Sequence, residues 1–366
     1  MNVCIVGLGV VGYGVYDILK KDNDKIKVKY VLDLDTEKTK GIACATTSLE
    51  RVLSDDDLDC VIELIGGTRA AYTTVKASLK AKKHVVTANK ALISKYFKEL
   101  HDLAKENGVM LRYEASVGGA MNVIDPLLTI KKINKINHIE GIINGSTNFI
   151  LSKIFIDGYT LDKALEEAKQ FGYIETGSND DLDGLDLMRK INILSMISYS
   201  QEIKEEDILR YPLTKLTNLF YNYVKDRNLL IKYIATSKIV DNKLTIHLEP
   251  VIITRDNFYS NINYEDNIIT LFGAYHQKQS FIGQGAGRYP TASAVIYDLE
   301  KLSDLSNYDI DLDNKRLVDN ESQKANFLIE VNGLIKKTEL TTLKELLEND
   351  EITSLARIDR EAYERI

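Results

Sequence analysis

The sequence predicts an α/β protein in which a doubly wound parallel sheet is followed by a second, α+β domain. Two observations predict this class. Over the first 130 residues, short apolar runs alternate with helical patterns, which is typical of a parallel sheet covered by helices on both faces. Beyond about residue 131, a helix-rich stretch leads into long runs of alternating residues, which favour an antiparallel sheet.

Five apolar runs are expected to form the strands of the first domain, residues 1–130. In chain order these runs are NVCIV, KVKYVLDLD, DCVIELIG, KHVVTANK and VMLRYEASVGG. Helical patterns such as TVKASLKA and FKELHDLAKENG separate several of them. A second domain is expected over residues 131–284, where LLIKYIATSKI and KLTIHLEPVII form strands joined by the turn VDNK.

The rest of the chain falls into two segments. Residues 285–320 begin with the glycine-rich GQGAGRYPTASAV, and we expect a helix after Pro290 that packs back on the first domain. Residues 324–366 have the pattern strand, helix, strand, and the sequence assigns them no function.

Composition and charge argue against several classes of function. The 366 residues are 44% hydrophobic and carry a net charge of -7, so no overall attraction to nucleic acid is expected. No run approaches the roughly 18 apolar residues of a membrane span, and no signal-peptide pattern is present. The three cysteines lack CxxC spacing and the five histidines form no HxH or HxxxH pair. We therefore expect a cytoplasmic protein without nucleic-acid or membrane partners.

The stretch IVGLGVVG indicates a Rossmann-type dinucleotide-binding turn. Gly7, Gly9 and Gly12 follow a strand and open a helix, and this spacing permits a tight turn, close approach of a pyrophosphate and close helix–strand packing. The helix that begins at Val10 and Val11 is expected to direct its free amides at the phosphates. The GxGxxG spacing alone is a weak indication of dinucleotide binding, but its position between a strand and a helix predicts a dinucleotide site.

The residue at the end of the second strand favours NAD over NADP. Asp33 lies 21 residues after Gly12, where an acidic residue normally binds the ribose 2′-hydroxyl. No arginine is near to accommodate a 2′-phosphate. Lys38 and Lys40 have two interpretations, as phosphate contacts or as surface lysines.

Lys90 follows the fourth strand, in HVVTANKALIS. Ligands of open α/β sheets lie beyond the carboxyl ends of the strands, so a lysine at this point can contact cofactor or substrate. It is equally compatible with a loop lysine that caps the following helix. Position alone leaves both interpretations open.

Residues 172–195, GYIETGSNDDLDGLDLMRKINILS, concentrate charge at the start of an apolar helix. Asp186 and Lys190 are four residues apart and share one helix face. Such a pair is commonly an exposed salt bridge, but the same face continues as Ile193 and Ile197 and therefore becomes buried. Buried charges need partners, and an ionic substrate is one such partner.

Seven segments, in order, make the sequence similar to the homoserine dehydrogenase family: GLGVVGYGV, VIELIGGT, VVTANKALIS, YEASVGGAMNVI, GIINGSTNFIL, GYIETGSNDDLDGLDLMRK and GQGAGRYPTASAV. The resemblance covers nearly all of residues 1–300. It implies reversible NAD- or NADP-dependent interconversion of L-homoserine and L-aspartate 4-semialdehyde, a step toward threonine, methionine and isoleucine. It also implies that residues 131–284 are the substrate-binding and dimerisation domain of a homodimer, with the dimer contact made by the alternating strands after residue 225. Because the tail is too short for a full regulatory ACT domain and no kinase segment precedes Met1, we expect a monofunctional form.

The same resemblance implies roles for individual residues. Glu175 and Asp186 match the acids that bind the amino group of homoserine, and Asp181 matches a further acid of that motif. Lys190 matches the proton donor and acceptor of the reaction. Lys90 matches a lysine that contacts cofactor and substrate.

Two further sets of residues are implied in the same way. Gly172 and Gly285 match positions that line the nicotinamide pocket. The family also has a site for a monovalent cation, usually sodium, whose backbone positions match Glu114, Val117, Gly119 and Met121. Asn122 stands where the family commonly has proline.

Two alternatives remain open on the sequence. A dehydrogenase of a related small hydroxy acid would share the dinucleotide turn, although the acids of residues 172–190 suit a substrate that carries an ammonium group. A non-catalytic dinucleotide-sensing protein can be built on the same fold. Such a sensor would not need Lys190.

Overall fold

The chain folds into two compact units. The structure, a computed structural model, describes residues 1–23, 25–174, 180–304, 308 and 310–366. Unit 1 comprises Met1–Ile133, Met196–Glu202 and Gln284–Asp313, and unit 2 comprises Asn134–Ser195, Ile203–Gly283 and Asn314–Ile366. Unit 1 contains a parallel sheet and unit 2 a mixed sheet, which confirms the predicted α/β class.

Unit 1 is built on a six-stranded sheet whose paired strands all run parallel, in the order β3-β2-β1-β4-β5-β6. Its strands are β1 (Asn2–Val6), β2 (Lys27–Leu32), β3 (Ala45–Thr46), β4 (Cys60–Glu63), β5 (His84–Thr87) and β6 (Leu111–Arg112). Its first helices are α1 (Val10–Asp22), α2 (Leu49–Leu53), α3 (Arg69–Lys80), α4 (Lys90–Asn107) and α5 (Ile124–Ile133). The strand order reverses between β1 and β4, and ligands of such sheets bind at this switch point.

Strand β1 is buried on both faces because successive side chains point to opposite sides of the sheet. Val3 and Ile5 belong to one apolar core, which also contains residues of α1. Cys4 and Val6 belong to a second core on the other face. This explains why the strand is a continuous apolar run rather than an alternating one.

Unit 2 is built on a nine-stranded mixed sheet, ordered β12-β11-β7-β9-β10-β15-β13-β14, with β8 paired to β10. The first strands are β7 (Ile136–Ile142), β8 (Leu209–Arg210), β9 (Leu230–Val240), β10 (Lys243–Ile253), β11 (Asp266–Gly273) and β12 (Gln277–Gln284). The helices are α6 (Gly145–Phe155), α7 (Leu161–Gln170), α8 (Leu185–Tyr199) and α9 (Asn218–Lys225). Strands β9 and β10 form the predicted antiparallel hairpin.

The segment after β12 returns to unit 1 as helix α10 (Arg288–Ser303), which packs on α1. The contact is close because α1 carries Gly14, where an added Cβ would lie 2.9 Å from Cγ of Arg288. Unit 1 ends at Asp313, so residues 314–320, which we expected on the first domain, belong to unit 2.

The last residues complete the sheet of unit 2 as β13 (Phe327–Val331), β14 (Leu334–Lys337), α11 (Leu343–Leu347) and β15 (Ile352–Ile358). The sequence pattern predicted only strand, helix, strand, and therefore missed β14. This strand is short, largely exposed and at the sheet edge, so it has no apolar pattern. Its marker is the turn Asn332-Gly333, where both residues have positive φ, as a tight hairpin turn requires.

Candidate functional site

The glycine turn of unit 1 has the geometry of a dinucleotide cradle. Gly7 has a φ of 93°, and a Cβ there would lie 2.7 Å from the carbonyl oxygen of Leu64. A Cβ on Gly12 would lie 2.0 Å from the carbonyl oxygen of Gly7, so the helix packs directly on the turn. Gly9 precedes α1 without any side-chain cap, and Val10 is 62% exposed. The first amides of α1, from Val10 and Val11 onward, are thus open to an anionic ligand.

A cavity of about 390 Å³ adjoins this turn, and its described lining includes Gly7, Gly9, Asp33, Lys38 and Ile65. Asp33 is held at the cavity by backbone donors. The N–H of Leu8 donates to its Oδ2 at 2.8 Å, and the N–H of Asp35 donates to its Oδ1 at 2.9 Å. A carboxylate has about four acceptor positions, so capacity remains for the hydroxyls of a ribose.

Lys90 is the first residue of α4, and the capping role belongs to its neighbour. The side-chain oxygen of Asn89 accepts the N–H of Leu92 at 3.0 Å and so caps the helix. The amide nitrogen of Asn89 donates to the carbonyl oxygens of Ile65 at 3.1 Å and Gly67 at 2.7 Å. The start of α4 is therefore attached to the loop that follows β4, whose Ile65 lines the dinucleotide cavity.

In unit 2, Lys190 and Asp186 form a buried ion pair on α8. Nζ of Lys190 lies 2.9 Å from Oδ2 of Asp186, and the two side chains are only 8% and 10% exposed. The same Nζ donates to the carbonyl oxygen of Ile143 at 2.7 Å. The exposed-salt-bridge interpretation is therefore wrong for this pair, because the helix face is covered from its first turn.

Asn144 joins the acids of this cluster. Its Nδ2 donates to Oδ1 of Asp181 at 2.7 Å and to Oδ2 of Asp186 at 2.8 Å. Its Oδ1 accepts the N–H of Thr147 at 2.8 Å, which caps helix α6. Burial, and after it the Asp186 carboxylate, raises the pKa of Asp181. The cluster thus concentrates negative charge in a poorly hydrated place, which suits an ammonium group.

The resemblance also implied roles for Glu175 and Gly172. Glu175 lies outside the described residues. Gly172 ends helix α7 in the left-handed conformation, with a φ of 75°, and no atom of the described residues lies within 4 Å of a Cβ built on it. The N–H of Gly172 donates to Lys169 and that of Tyr173 to Ala168, so a helix-terminating role accounts for this glycine.

The segment implied for a monovalent cation consists of two tight turns, Glu114–Ser116 and Gly119–Met121. The carboxylate of Glu114 accepts the N–H groups of Ile124 at 2.6 Å and Asp125 at 3.1 Å, so this side chain caps α5. A Cβ on Gly119 would lie 2.7 Å from the carbonyl oxygen of Gly285, which brings these two implied positions together.

Asn122 provides a test of whether this segment suits a cation. Its side-chain Oδ1 is buried and has no hydrogen-bond partner in the described part of the chain. An unpaired buried oxygen is costly, and neutral carbonyl oxygens are the usual ligands of sodium and potassium. This unpaired oxygen is of the type that a monovalent cation takes as a ligand, so the segment suits such a cation at this one position.

Sequence patterns missed two contributors to the unit 2 cluster, the side chain of Asn144 and the carbonyl of Ile143. Both lie in GIINGSTNFIL, a segment noted for its similarity but without an assigned role. An asparagine directly before a helix is a common N-cap, and this could have located Asn144 at the start of α6. Its contact with Asp181, 37 residues away, has no local marker.

Comparisons with known proteins agree along most of the chain. Two family models match, "Homoserine dehydrogenase" over residues 123–299 and "Homoserine dehydrogenase, NAD binding domain" over residues 7–114. The chain is 33% identical over 316 residues to the homoserine dehydrogenase of Synechocystis, covering 82% of this chain and 72% of that protein. It is also 33% identical over 311 residues to that of Bacillus subtilis, with the same coverages. A solved homoserine dehydrogenase from Thiobacillus denitrificans superposes with a TM-score of 0.86 at 26% identity, over 98% of both chains.

With these matches, the parallel sheet with its glycine turn and the lysine–carboxylate cluster define an NAD(P)-dependent oxidoreductase that acts on a CH–OH group. It converts an alcohol on an amino acid to an aldehyde and back. The chain belongs to the homoserine dehydrogenase family, and its reaction is the interconversion of L-homoserine and L-aspartate 4-semialdehyde in amino-acid biosynthesis. The predicted family, enzyme class and NAD(P) cofactor are confirmed, and the alternative substrate and the sensor are set aside.

No helix among the described residues is both long and apolar enough to cross a membrane.

Proposed function

We propose that Lys190 transfers the proton of this reaction, and that Asp186, Asp181 and Glu175 bind the ammonium group of homoserine. The observation that carries the proposal is the buried pair of Lys190 and Asp186, together with the donation from Lys190 to Ile143. In the described part of the chain these two contacts engage two of the three N–H groups of the ammonium. The third is then available to the oxygen of the substrate.

Oxidation removes a hydride from the carbinol carbon of homoserine and a proton from the oxygen bonded to that carbon. When bound, the oxidised nicotinamide accepts the hydride from the carbinol carbon. In this direction Lys190 acts as the neutral amine, which donates its two N–H groups to Asp186 and Ile143 and accepts the hydroxyl proton on its lone pair. The C–O single bond becomes a carbonyl and the amine becomes the ammonium. In the reverse direction Lys190 returns this proton to the aldehyde oxygen. The carboxylate of Asp186, 2.9 Å from Nζ, fixes the orientation of Lys190.

Recognition of the ammonium group is assigned to the acids around Asn144. Asp181 and Asp186 share the side-chain amide of Asn144 at 2.7 and 2.8 Å, which holds two carboxylates near each other despite their repulsion. A cation between them would relieve the repulsion that raises the pKa of Asp181. A hydroxy acid without an amino group offers no such cation, so this arrangement favours homoserine over it.

For the cofactor, we propose that NAD is preferred. Asp33 is held beside the cavity of unit 1 by Leu8 and Asp35, and its negative charge would repel the 2′-phosphate of NADP. We further propose that Lys90 contacts the cofactor and the substrate, and that the carbonyl groups of Glu114, Val117, Gly119 and Met121 hold a monovalent cation. That cation would supply positive charge that orders the turns.

We also propose that the chain acts in the cytoplasm as a homodimer assembled through unit 2. All three cysteines are free thiols, which suits a reducing compartment. The strands after residue 225 were expected to make the dimer contact, but β9 and β10 are buried within the chain along most of their length. The edge strand β12, where Ile282 is 56% exposed, is the better candidate within that region. Sedimentation equilibrium would detect the dimer.

The reaction and its selectivity are tested together by absorbance at 340 nm. Purified protein is mixed with L-homoserine and either NAD or NADP, and 4-hydroxybutyrate, which lacks only the amino group, serves as the matched substrate. We expect NADH formation with homoserine at more than about 100 times the rate with 4-hydroxybutyrate, since an unpaired buried acid costs a few kcal/mol. Equal rates with the two substrates would contradict the ammonium site.

A further inference from the structure

Glu63 is a fully buried acid whose described partners are uncharged. It ends strand β4 and lies opposite Thr87, the last residue of β5, in the parallel register. The hydroxyl of Thr87 donates to its Oε2 at 2.6 Å, and the N–H of Ile65 donates to its Oε1 at 2.7 Å. Burial raises the pKa of Glu63 to about 7, although these donors oppose the change. Such an acid reduces the stability of a fold, so its retention needs another explanation.

The contacts of Glu63 continue to the start of helix α4. The hydroxyl of Thr87 accepts the N–H of Asn89 at 3.0 Å. The side chain of Asn89 in turn donates to the carbonyls of Ile65 and Gly67. Two side chains therefore hold the loop of residues 65–67. Glu63 accepts the N–H of Ile65, and Asn89 donates to the carbonyls of Ile65 and Gly67. Glu63, Thr87 and Asn89 form one connected set, which we name the loop clamp.

The loop held by this clamp borders the dinucleotide cavity. Ile65 and Gly66 both line the cavity of about 390 Å³, together with Gly7 and Asp33. The carbonyl of Leu64 lies against the glycine turn, where a Cβ on Gly7 would come within 2.7 Å of it. A displacement of this loop would therefore change both the cavity wall and the packing of the turn that receives the pyrophosphate.

We propose that Glu63 is a positioning residue for the dinucleotide: through the loop clamp it holds residues 65–67 against the glycine turn and sets cofactor affinity. The inference rests on the dinucleotide site of unit 1 and does not depend on the roles proposed for Lys190 and the acids of unit 2. Both oxygens of the Glu63 carboxyl group act as acceptors, one for the hydroxyl of Thr87 and the other for the N–H of Ile65. A glutamine in its place has one acceptor oxygen and one NH₂ group, so one of the two donors loses its partner.

The test measures dinucleotide binding directly, by the fluorescence of NADH titrated with Glu63→Gln and Thr87→Val. Thr87→Ser retains the hydroxyl and is the matched control for the second variant. Ser78→Ala removes a buried hydroxyl of α3, which donates to the carbonyl of Thr74, and controls for loss of a buried hydrogen bond in the same unit. Circular dichroism and thermal unfolding establish which variants are folded.

We expect the Kd for NADH and the KM for NAD to rise about tenfold in Glu63→Gln and Thr87→Val, the scale of one lost hydrogen bond to a charged group. The KM for homoserine should stay within about twofold of wild type. Thr87→Ser and Ser78→Ala should bind NADH like wild type. If Glu63→Gln does not fold, Thr87→Val decides alone.

Folded variants with lower thermal stability but an unchanged Kd would mean that the clamp is only structural, and would overturn the proposal. So would a rise in Kd in Ser78→Ala equal to that in the clamp variants. Because NADH binding needs no turnover, failure of the homoserine assay would leave this measurement interpretable.

Discussion

Nζ of Lys190 lies 2.9 Å from Oδ2 of Asp186, one helical turn earlier on α8, and both side chains are almost completely buried. A pair at this spacing is usually on a protein surface and contributes little. Here it lies beside the carbonyl of Ile143 and the amide of Asn144, which are further hydrogen-bond partners of the lysine and of the carboxylate. This relationship is the basis of the proposed proton transfer.

Replacement of Lys190 by alanine is expected to lower kcat for homoserine oxidation by about 10²- to 10⁴-fold, the usual contribution of a general acid or base. NADH binding should persist, because the described partners of Lys190, Asp186 and Ile143, belong to unit 2 and the glycine turn belongs to unit 1. Stopped-flow or steady-state absorbance at 340 nm gives the rate, and NADH fluorescence gives the affinity. Lys204→Ala is the control, since the side chain of Lys204 is 73% exposed. A Lys190→Ala variant with near-normal turnover would disprove its proposed role.

Asn144→Ala should reduce kcat/KM for homoserine by about 10- to 100-fold, because hydrogen bonds to charged groups contribute about 1.5–3 kcal/mol each. The variant loses the amide that Asp181 and Asp186 share, and it also loses the cap of α6. Thr160→Ala removes the cap of the neighbouring helix α7 without touching an acid of the cluster, and so isolates the effect of capping. If both variants reduced kcat/KM equally, the loss would come from stability and not from the acids.

Asp33→Asn is expected to raise the ratio of kcat/KM with NADP to that with NAD by about tenfold or more. The substitution removes the negative charge that opposes a 2′-phosphate, and its remaining oxygen can still accept the N–H of Leu8. Parallel assays at 340 nm with the two cofactors give the ratio. Asp35→Asn is the control, two residues later and exposed. If the ratio of kcat/KM with NADP to kcat/KM with NAD were unchanged in Asp33→Asn, Asp33 would not determine which cofactor is preferred.

Stability should depend on pH through His101, whose Nε2 lies 2.8 Å from the hydroxyl of Tyr113. Burial lowers the pKa of His101 to about 4, against an ordinary value of 6.5. Between these values the unfolded chain binds the proton and the folded chain does not, so stability is lost as the pH falls from 6.5 toward 4. Relative to His101→Gln, the wild type should lose about 2–3 kcal/mol of unfolding free energy over this range, measured by urea denaturation. Parallel pH profiles for the two proteins would contradict this assignment.

Local features of the sequence account for the parts of the site that are close in the chain. The strand–turn–helix setting of Gly7, Gly9 and Gly12 predicts a cradle whose glycines are required by the close approach of Leu64 and of the turn itself. The four-residue spacing of Asp186 and Lys190 predicts a shared helix face, because helical periodicity acts over a single turn. Such features depend on neighbours in sequence and are therefore visible without a fold.

No local feature of the sequence predicted the contacts between segments that are far apart in the chain. Asn144 reaches Asp181 across 37 residues, and Glu63 reaches Thr87 across 24, in each case because strands or helices bring the residues side by side. The hairpin of β13 and β14 was likewise missed, since an exposed edge strand needs no apolar pattern.

The sequence by itself therefore determined the α/β class, the family, the dinucleotide turn and the charged start of an apolar helix within residues 172–195, because glycine geometry and residue periodicity are local properties. Only the tertiary structure decided which groups surround Lys190, that the carboxylate of Glu114 caps α5, and that Glu63 holds the loop beside the dinucleotide cavity. The physical reason is that burial and hydrogen-bond partners depend on the packing of elements far apart in the chain. Those partners decide whether a charged side chain belongs to a surface or to a site.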